Sequence, residues 1–188
     1  MSAATGFTYL LGLPPFEKLG EIKPSAVCES LGDSKKAATT LKTVLPKEPK
    51  YIFRGRVAGD KVTQGTMAFR SACAVHGEEK SLLRTQTLVM RTQPSWANYY
   101  NVGGDSGRES FTTGSGAFIT ADNTVAFQVP CANPETIPGG EYSLKVVVYR
   151  NTSEASDKMR QGLKDLAVGA ARFAHKETDC NLPSNLPE

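Results

Sequence analysis

Hydrophobic positions in the last part of the chain recur every three or four residues, which places them on one stripe of a helix. These positions are Met159, Leu163, Leu166, Ala170 and Phe173. The polar sequence Asn151-Thr152-Ser153-Glu154 precedes them and is typical of a capped helix start. The pattern predicts an amphipathic helix over residues 154–178 that packs on a sheet.

Two shorter helices are predicted near the N-terminus. The first covers residues 24–31 and ends before Gly32, a residue suited to a helix C-cap. The second runs to Leu45, with Asp33 or Ser34 as its N-cap. We expect residues 1–23 to form an N-terminal extension and residues 24–188 to form a single domain.

The middle of the chain changes to a period of two residues, which is typical of half-buried strands. Six strands are predicted, around residues 51–57, 67–75, 82–91, 117–120, 124–129 and 142–149. The third has apolar residues on both faces at Leu88, Val89 and Met90, which favours a central position. The predicted fold class is α+β, with an antiparallel meander of about six strands, N-terminal helices and a C-terminal helix packed on the sheet.

Residues 92–113 are predicted to form a long loop rich in Gly, Ser, Asn and Thr. Loops of this length in a compact domain are usually functional or mobile. The loop carries Trp96, Tyr99, Tyr100 and Arg108, which we name as candidate binding residues for a protein or a sugar. The alternative for the three aromatic residues is a hydrophobic plug that folds back onto the core.

A series of arginines follows the same alternation as the strands. The series is Arg54, Arg56, Arg70, Arg84 and Arg91. Some of these side chains could gather on one exposed face of the sheet and meet an anionic ligand. Ordinary polar alternation is the simpler interpretation of the pattern.

The overall charge is balanced, since 22 basic residues face 19 acidic ones with no long run of one sign. A nucleic-acid-binding protein is expected to gather its basic residues on one strip with interleaved aromatics, so we exclude that class. The apolar stretch at residues 7–16 is interrupted by Gly12, Pro14 and Pro15 and is too short to span a membrane. Any signal sequence or membrane anchor is expected upstream of this sequence.

The four cysteines, Cys28, Cys73, Cys131 and Cys180, are even in number and widely spaced. The sequence contains no CxxC motif, and no histidine completes a metal-ligand motif with the cysteines. Two disulfides are the favoured interpretation and predict export to an oxidising compartment; four buried thiols are the alternative. Among three possible connectivities we prefer Cys28 with Cys73 and Cys131 with Cys180, because each pair joins a predicted helix to a predicted strand.

The motif Gly104-Asp105-Ser106-Gly107 is similar to the nucleophile motif of serine proteases, and His76 lies upstream of it. The spacing and context do not fit a two-barrel protease or a nucleophile elbow. His175 lies near the predicted end of the last helix, where a cation suits the helix dipole. No catalytic residue, metal or cofactor is therefore assigned.

The segment Pro24-Ser25-Ala26-Val27-Cys28-Glu29-Ser30-Leu31 and the strand start Ala72-Cys73-Ala74-Val75 resemble small exported lipoproteins of high-GC Gram-positive bacteria. Residues 173–180 are similar too. Some members of that group resemble the Mog1/PsbP-like α/β sandwich. The resemblance implies a cell-envelope location, although this sequence lacks a lipobox cysteine at its start.

These observations lead to one main functional hypothesis, an extracytoplasmic binding or scaffold domain that contacts a protein or a cell-wall component. Contact with a membrane is expected only through a segment outside this sequence. The alternative is a secreted serine hydrolase that uses Ser106 with His76 or His175. A ligand carrier would need an apolar pocket between helix and sheet.

Overall fold

A computed structural model describes residues 19–59, 68–92, 109–113, 116–121, 123–133, 140–152, 156–184 and 186. The described chain is α+β, as predicted, and contains an antiparallel sheet of seven strands. The strands are β1 (Ile52–Ala58), β2 (Arg70–His76), β3 (Ser81–Arg91), β4 (Glu109–Thr113), β5 (Gly116–Ala121), β6 (Thr124–Ala132) and β7 (Tyr142–Arg150). Side chains are described on five of them, β1, β2, β3, β6 and β7.

The strand order is β1-β2-β3-β7-β6-β5-β4, so the prediction of one continuous meander is wrong. Two meanders, β1 to β3 and β4 to β7, meet where β3 pairs with β7. Within each meander the paired strands are consecutive in sequence, whereas the β3–β7 pairing joins strands that are distant in sequence. β3 is an interior strand, in agreement with its apolar sequence.

The loop predicted over residues 92–113 was too long at its C-terminal end. Residues Glu109–Thr113 form β4, which pairs with β5 in the register Glu109 to Thr120. The sequence of β4 lacks the apolar alternation that marks the other strands. Its extended conformation is instead stabilised by the hydrogen bonds of the hairpin with β5. Trp96, Tyr99, Tyr100 and Arg108 lie outside the described residues.

The first predicted helix is wrong in type, because residues 24–31 form two 3-10 turns, Pro24–Ala26 and Glu29–Leu31. Val27, between them, has extended backbone angles. Cys28 follows this break directly and is bonded to Cys73 of β2. The Cys28 side chain lies over Gly55, where an added Cβ would come within 3.3 Å of the Cys28 Cβ.

The second predicted helix is confirmed as α1 (Ser34–Val44). Its N-cap is Asp33, whose carboxylate accepts hydrogen bonds from the Lys35 and Lys36 backbone N–H groups at 2.8 and 2.9 Å. The bond from Lys36 is the main reason that the pKa of Asp33 lies below its usual value. The apolar side of α1, including Leu41 and Val44, is buried.

The C-terminal helix is confirmed as α2 (Asp157–Glu177), which begins later than the sequence predicts. Its N-cap is Ser156, whose Oγ accepts from the Met159 backbone N–H at 3.2 Å. Leu163, Leu166 and Ala170 of the predicted stripe are buried, while Met159 and Phe173 are half-buried. The helix packs on the centre of the sheet.

Two glycines of α2 allow the N-terminal elements to come close. An added Cβ on Gly162 would clash with Val44 Cγ1 of α1. An added Cβ on Gly169 would come within 2.5 Å of the Leu31 carbonyl oxygen. Both glycines are seven residues apart, or about two helical turns, so they lie on one side of α2. That side packs against α1 and the turn before it.

Two disulfides connect the layers, with the predicted pairing, Cys28 to Cys73 and Cys131 to Cys180. The first joins the N-terminal turns to β2, and the second joins β6 to the chain just after α2. The Cys131 carbonyl also accepts hydrogen bonds from the backbone N–H groups of Asn181 and Leu182, at 2.9 and 3.1 Å. Both ends of the helical layer are therefore fixed to the sheet.

Candidate functional site

The two faces of the sheet have different compositions. Residues 125, 127 and 129 of β6 and residues 144, 146 and 148 of β7 point to the same side and belong to the buried core with α2. We call this side the helix face and the opposite side the open face. On the N-terminal half of the open face, the strand alternation places four arginines, Arg54, Arg56, Arg70 and Arg84.

The strand register arranges these arginines around two alanines of β2. Ala74 pairs with Arg54 of β1 on one side and with Arg84 of β3 on the other. Since neighbouring strands are separated by about 4.8 Å, the Arg54 and Arg84 backbones are about 10 Å apart. Both side chains are exposed, and the small, half-buried Ala74 leaves the space between them unfilled.

The next step along the strands repeats this arrangement. Ala72 pairs with Arg56 on one side and with Gln86 on the other, and both of these longer residues are exposed. Arg70 lies at one end of the same face of β2 and His76 at the other. We call the set Arg54, Arg56, Arg70 and Arg84, with Ala72 and Ala74 between them, the arginine surface. It is a shallow site, open to solvent, with a floor of methyl groups.

No acidic residue of the five strands whose side chains are described balances this charge. The sequences of β1, β2, β3, β6 and β7 contain no Asp or Glu. Among the described residues, the ion pairs lie elsewhere, for example between Lys80 and Glu48 at 3.5 Å. The four arginines therefore produce a region of positive potential although the net charge of the whole chain is only +3.

Protection of a sheet edge explains only part of this arrangement. Charged side chains on an edge strand discourage pairing with another sheet, and Arg54 and Arg56 lie on the edge strand β1. Arg70 and Arg84 lie on the interior strands β2 and β3, whose backbone groups are already paired on both sides. Edge protection therefore does not account for these two residues.

A fifth cation, Lys145 of β7, lies further along the open face. It pairs with Leu88 and with Gln128 and is fully buried. Its Nζ has no hydrogen-bond partner among the described residues. Burial lowers the pKa of Lys145, because a low-dielectric environment disfavours the charged form. Lys145 is thus part of the same positive face, but it is not accessible to a ligand as the exposed arginines are.

An exposed aromatic residue adjoins the arginine surface. Tyr149 of β7 pairs with Arg84, so their side chains are direct neighbours on the open face. The residue is 42% exposed, which is unusual for a tyrosine on an interior strand. Its ring offers an amphipathic surface beside a cation, and sequence reasoning did not select it. The alternating pattern of the strand places Tyr149 on the face opposite to Val148. The sequence does not show that β3 is the neighbouring strand, so it does not show that Tyr149 lies next to Arg84.

The other predicted site residues are distributed differently. Arg91 belongs to the opposite alternation from Arg84, and its guanidinium is near Gly140. Ser106 lies outside the described residues. His76 is at the end of β2, whereas the Nε2 of His175 is 2.8 Å from the Leu182 carbonyl oxygen at the end of α2. The two histidines belong to different layers of the fold.

The space between α2 and the sheet is filled by side chains, including Leu163 and Phe127, which are both 0% exposed. One shallow cleft lies elsewhere, beside α1, with Leu19, Lys42 and Tyr51 in its lining. The part of the chain that the structure describes contains no cluster of three potential metal ligands. In the same part, every helix is too short or too polar to cross a membrane.

Comparison with family models, with curated proteins and with solved structures gave no match to this chain.

Proposed function

We propose that this protein is an exported binding domain that attaches to an anionic component of the cell envelope through the arginine surface. The observation that carries the proposal is the pair Arg54 and Arg84, which lie on either side of Ala74 on three described strands, β1, β2 and β3, that contain no Asp or Glu. Arginine is well suited to this task, since its planar fork donates parallel hydrogen bonds to oxyanions.

The disulfides support the location outside the cytoplasm. Cross-links of this kind persist in oxidising compartments and are rare in cytosolic proteins. All four cysteines are paired. They fix the helical layer and leave the open face of β1, β2 and β3 untouched, since both bonds lie on the other side of the sheet.

A single exposed anion would bind weakly in high dielectric, so useful affinity requires several contacts at once. The arginine surface provides four cations within about two strand spacings and two steps along the strands. This arrangement favours an extended polyanion. The loop residues Trp96, Tyr99, Tyr100 and Arg108 are retained as a second proposed contact.

The test measures binding to dextran sulfate as a function of salt concentration. We expect the Arg54→Gln/Arg84→Gln variant to bind dextran sulfate about tenfold more weakly. The slope of log binding constant against log salt concentration should fall in magnitude by about two. The matched control is Lys36→Gln/Lys42→Gln, which removes the same charge from exposed positions of α1. Equal losses in both variants would show that only net charge matters and would overturn the proposal, as would no binding by the native protein.

A further inference from the structure

The exposed Tyr149 narrows the class of polyanion. Its position in the sheet places an aromatic ring next to Arg84, in the row that continues through Ala74 to Arg54. A ligand that lies along this row would contact the cation of Arg54, the small side chain of Ala74, the cation of Arg84 and the ring of Tyr149, in that order. An exposed tyrosine ring packs well against the C–H face of a sugar while its hydroxyl stays hydrated. The row therefore combines an oxyanion site with a sugar platform.

The geometry over Ala74 favours a tetrahedral oxyanion. The register places Arg54 and Arg84 on either side of Ala74 on the open face. A planar carboxylate accepts hydrogen bonds mainly near its own plane. A phosphate group extends its oxygens out of one plane, so it can accept hydrogen bonds from two guanidinium groups on opposite sides. It also carries more charge than a sulfate when it is a monoester.

We infer that the arginine surface binds a glycan that carries phosphate groups. One phosphate lies over Ala74 between Arg54 and Arg84, and an adjacent sugar ring packs on Tyr149. A following phosphate of the chain is within reach of Arg56 and Arg70, one and two steps further along the strands. This inference rests on the proposed anionic ligand and specifies its chemistry.

Other polyanions fit the surface less well. A nucleic acid would be expected to stack several bases on aromatic residues. Beside the arginine surface, Tyr149 is the one large aromatic side chain among the described residues that is exposed, so the surface itself offers a single stacking position. An acidic peptide would supply carboxylates and extended backbone, but β2 and β3 are paired on both sides and offer no free edge. A peptide could then pair only with β1, away from Tyr149.

The experiment compares polymers that share one sugar backbone. Binding of the native, oxidised protein to dextran phosphate is measured by biolayer interferometry, beside dextran sulfate, carboxymethyl dextran and neutral dextran of equal length. Inorganic polyphosphate and single-stranded oligothymidylate complete the series. We expect dextran phosphate to bind most tightly, by about tenfold or more over carboxymethyl dextran, because two guanidinium groups can share one phosphate.

Two substitutions separate the sugar contact from the anion contact. Tyr149→Ala should weaken binding to dextran phosphate by about threefold to tenfold and leave binding to polyphosphate unchanged, with Tyr149→Phe as the conservative control. Arg84→Lys keeps the charge but loses the fork, so it should reduce the preference for phosphate over carboxylate.

The outcomes distinguish this inference from the proposed function. Failure to bind any of the polyanions would overturn both. Binding to all the charged dextrans with similar strength would leave the proposed function standing and overturn the inference. Tighter binding to oligothymidylate than to dextran phosphate would also overturn the inference, because it would identify a nucleic-acid surface.

Discussion

The two faces of the sheet are built by the same alternation but are used differently. On the helix face, residues such as Phe127 and Val146 are fully buried against α2. On the open face, β1, β2 and β3 present arginines to solvent and β7 presents Tyr149, whereas Ala126 and Lys145 on the same face are buried. The helix face therefore contributes stability through apolar burial, whereas exposed arginines contribute little to it. The stability of the fold therefore depends on the helix face much more than on the arginines of the open face.

The largest expected effect concerns the covalent attachment of the helix layer to the sheet. Removing the second disulfide with Cys131→Ala/Cys180→Ala should reduce the free energy of unfolding by about 4 kcal/mol, since it closes a loop of 49 residues. Urea denaturation monitored by circular dichroism measures the change. A loss below about 1 kcal/mol would mean that noncovalent packing alone holds α2 in place.

A loss of similar or smaller size is expected from a change in the packing of α2 on the helix face. Leu163 is 0% exposed, so Leu163→Ala should lower the free energy of unfolding by about 2 to 5 kcal/mol through lost burial and a residual cavity. Lys158→Ala on the exposed side of the same helix is the control and should change it by less than about 0.5 kcal/mol. Equal effects from both variants would contradict the assignment of the buried side.

The smallest stability effect should come from Lys145, the buried cation of the open face. Burial holds its pKa below the unfolded value of about 10.4, so the folded state releases the proton first as the pH rises. The wild-type protein should therefore gain stability with increasing pH below about 10.4. Lys145→Met should be more stable than wild type at pH 7, and this difference should narrow toward pH 10.

The measurement is the urea midpoint of both proteins between pH 7 and pH 10, with Lys36→Met as the exposed control. A Lys145→Met variant that is less stable than wild type at pH 7 would show that the charged amine has a stabilising partner. Such a result would make the open face around Lys145 a structural site and would sharpen its difference from the arginine surface.

Much of the fold was predictable because its signals are local. The helical stripe around Leu163, the cap at Asp33 and the alternation of most strands depend on neighbouring residues. The disulfide pairing was predicted as well, since each bond joins elements that the sequence marks separately. The errors fell where local signals are weak, at the 3-10 turns around Val27 and at β4, whose strand conformation depends on its partner.

The candidate site was predictable only in part. The alternation of Arg54, Arg56, Arg70 and Arg84 was visible in the sequence, where ordinary polar alternation is the simpler interpretation. The register adds what the sequence does not show, because it places Arg54 and Arg84 on either side of one small residue, Ala74. A one-residue slip of β2 against its neighbours would turn Ala74 to the other face.

The sequence by itself determined which residues alternate and where the two α-helices form, and it favoured the pairing of the cysteines, because these properties depend on short-range periodicity and on side-chain chemistry. Only the tertiary structure decided that β7 lies beside β3, which brings Tyr149 next to Arg84. Pairing between strands so distant in sequence is selected by the apolar surface that the whole sheet buries under α2. The pairing of β3 with β7 therefore determines which residues are neighbours on the open face.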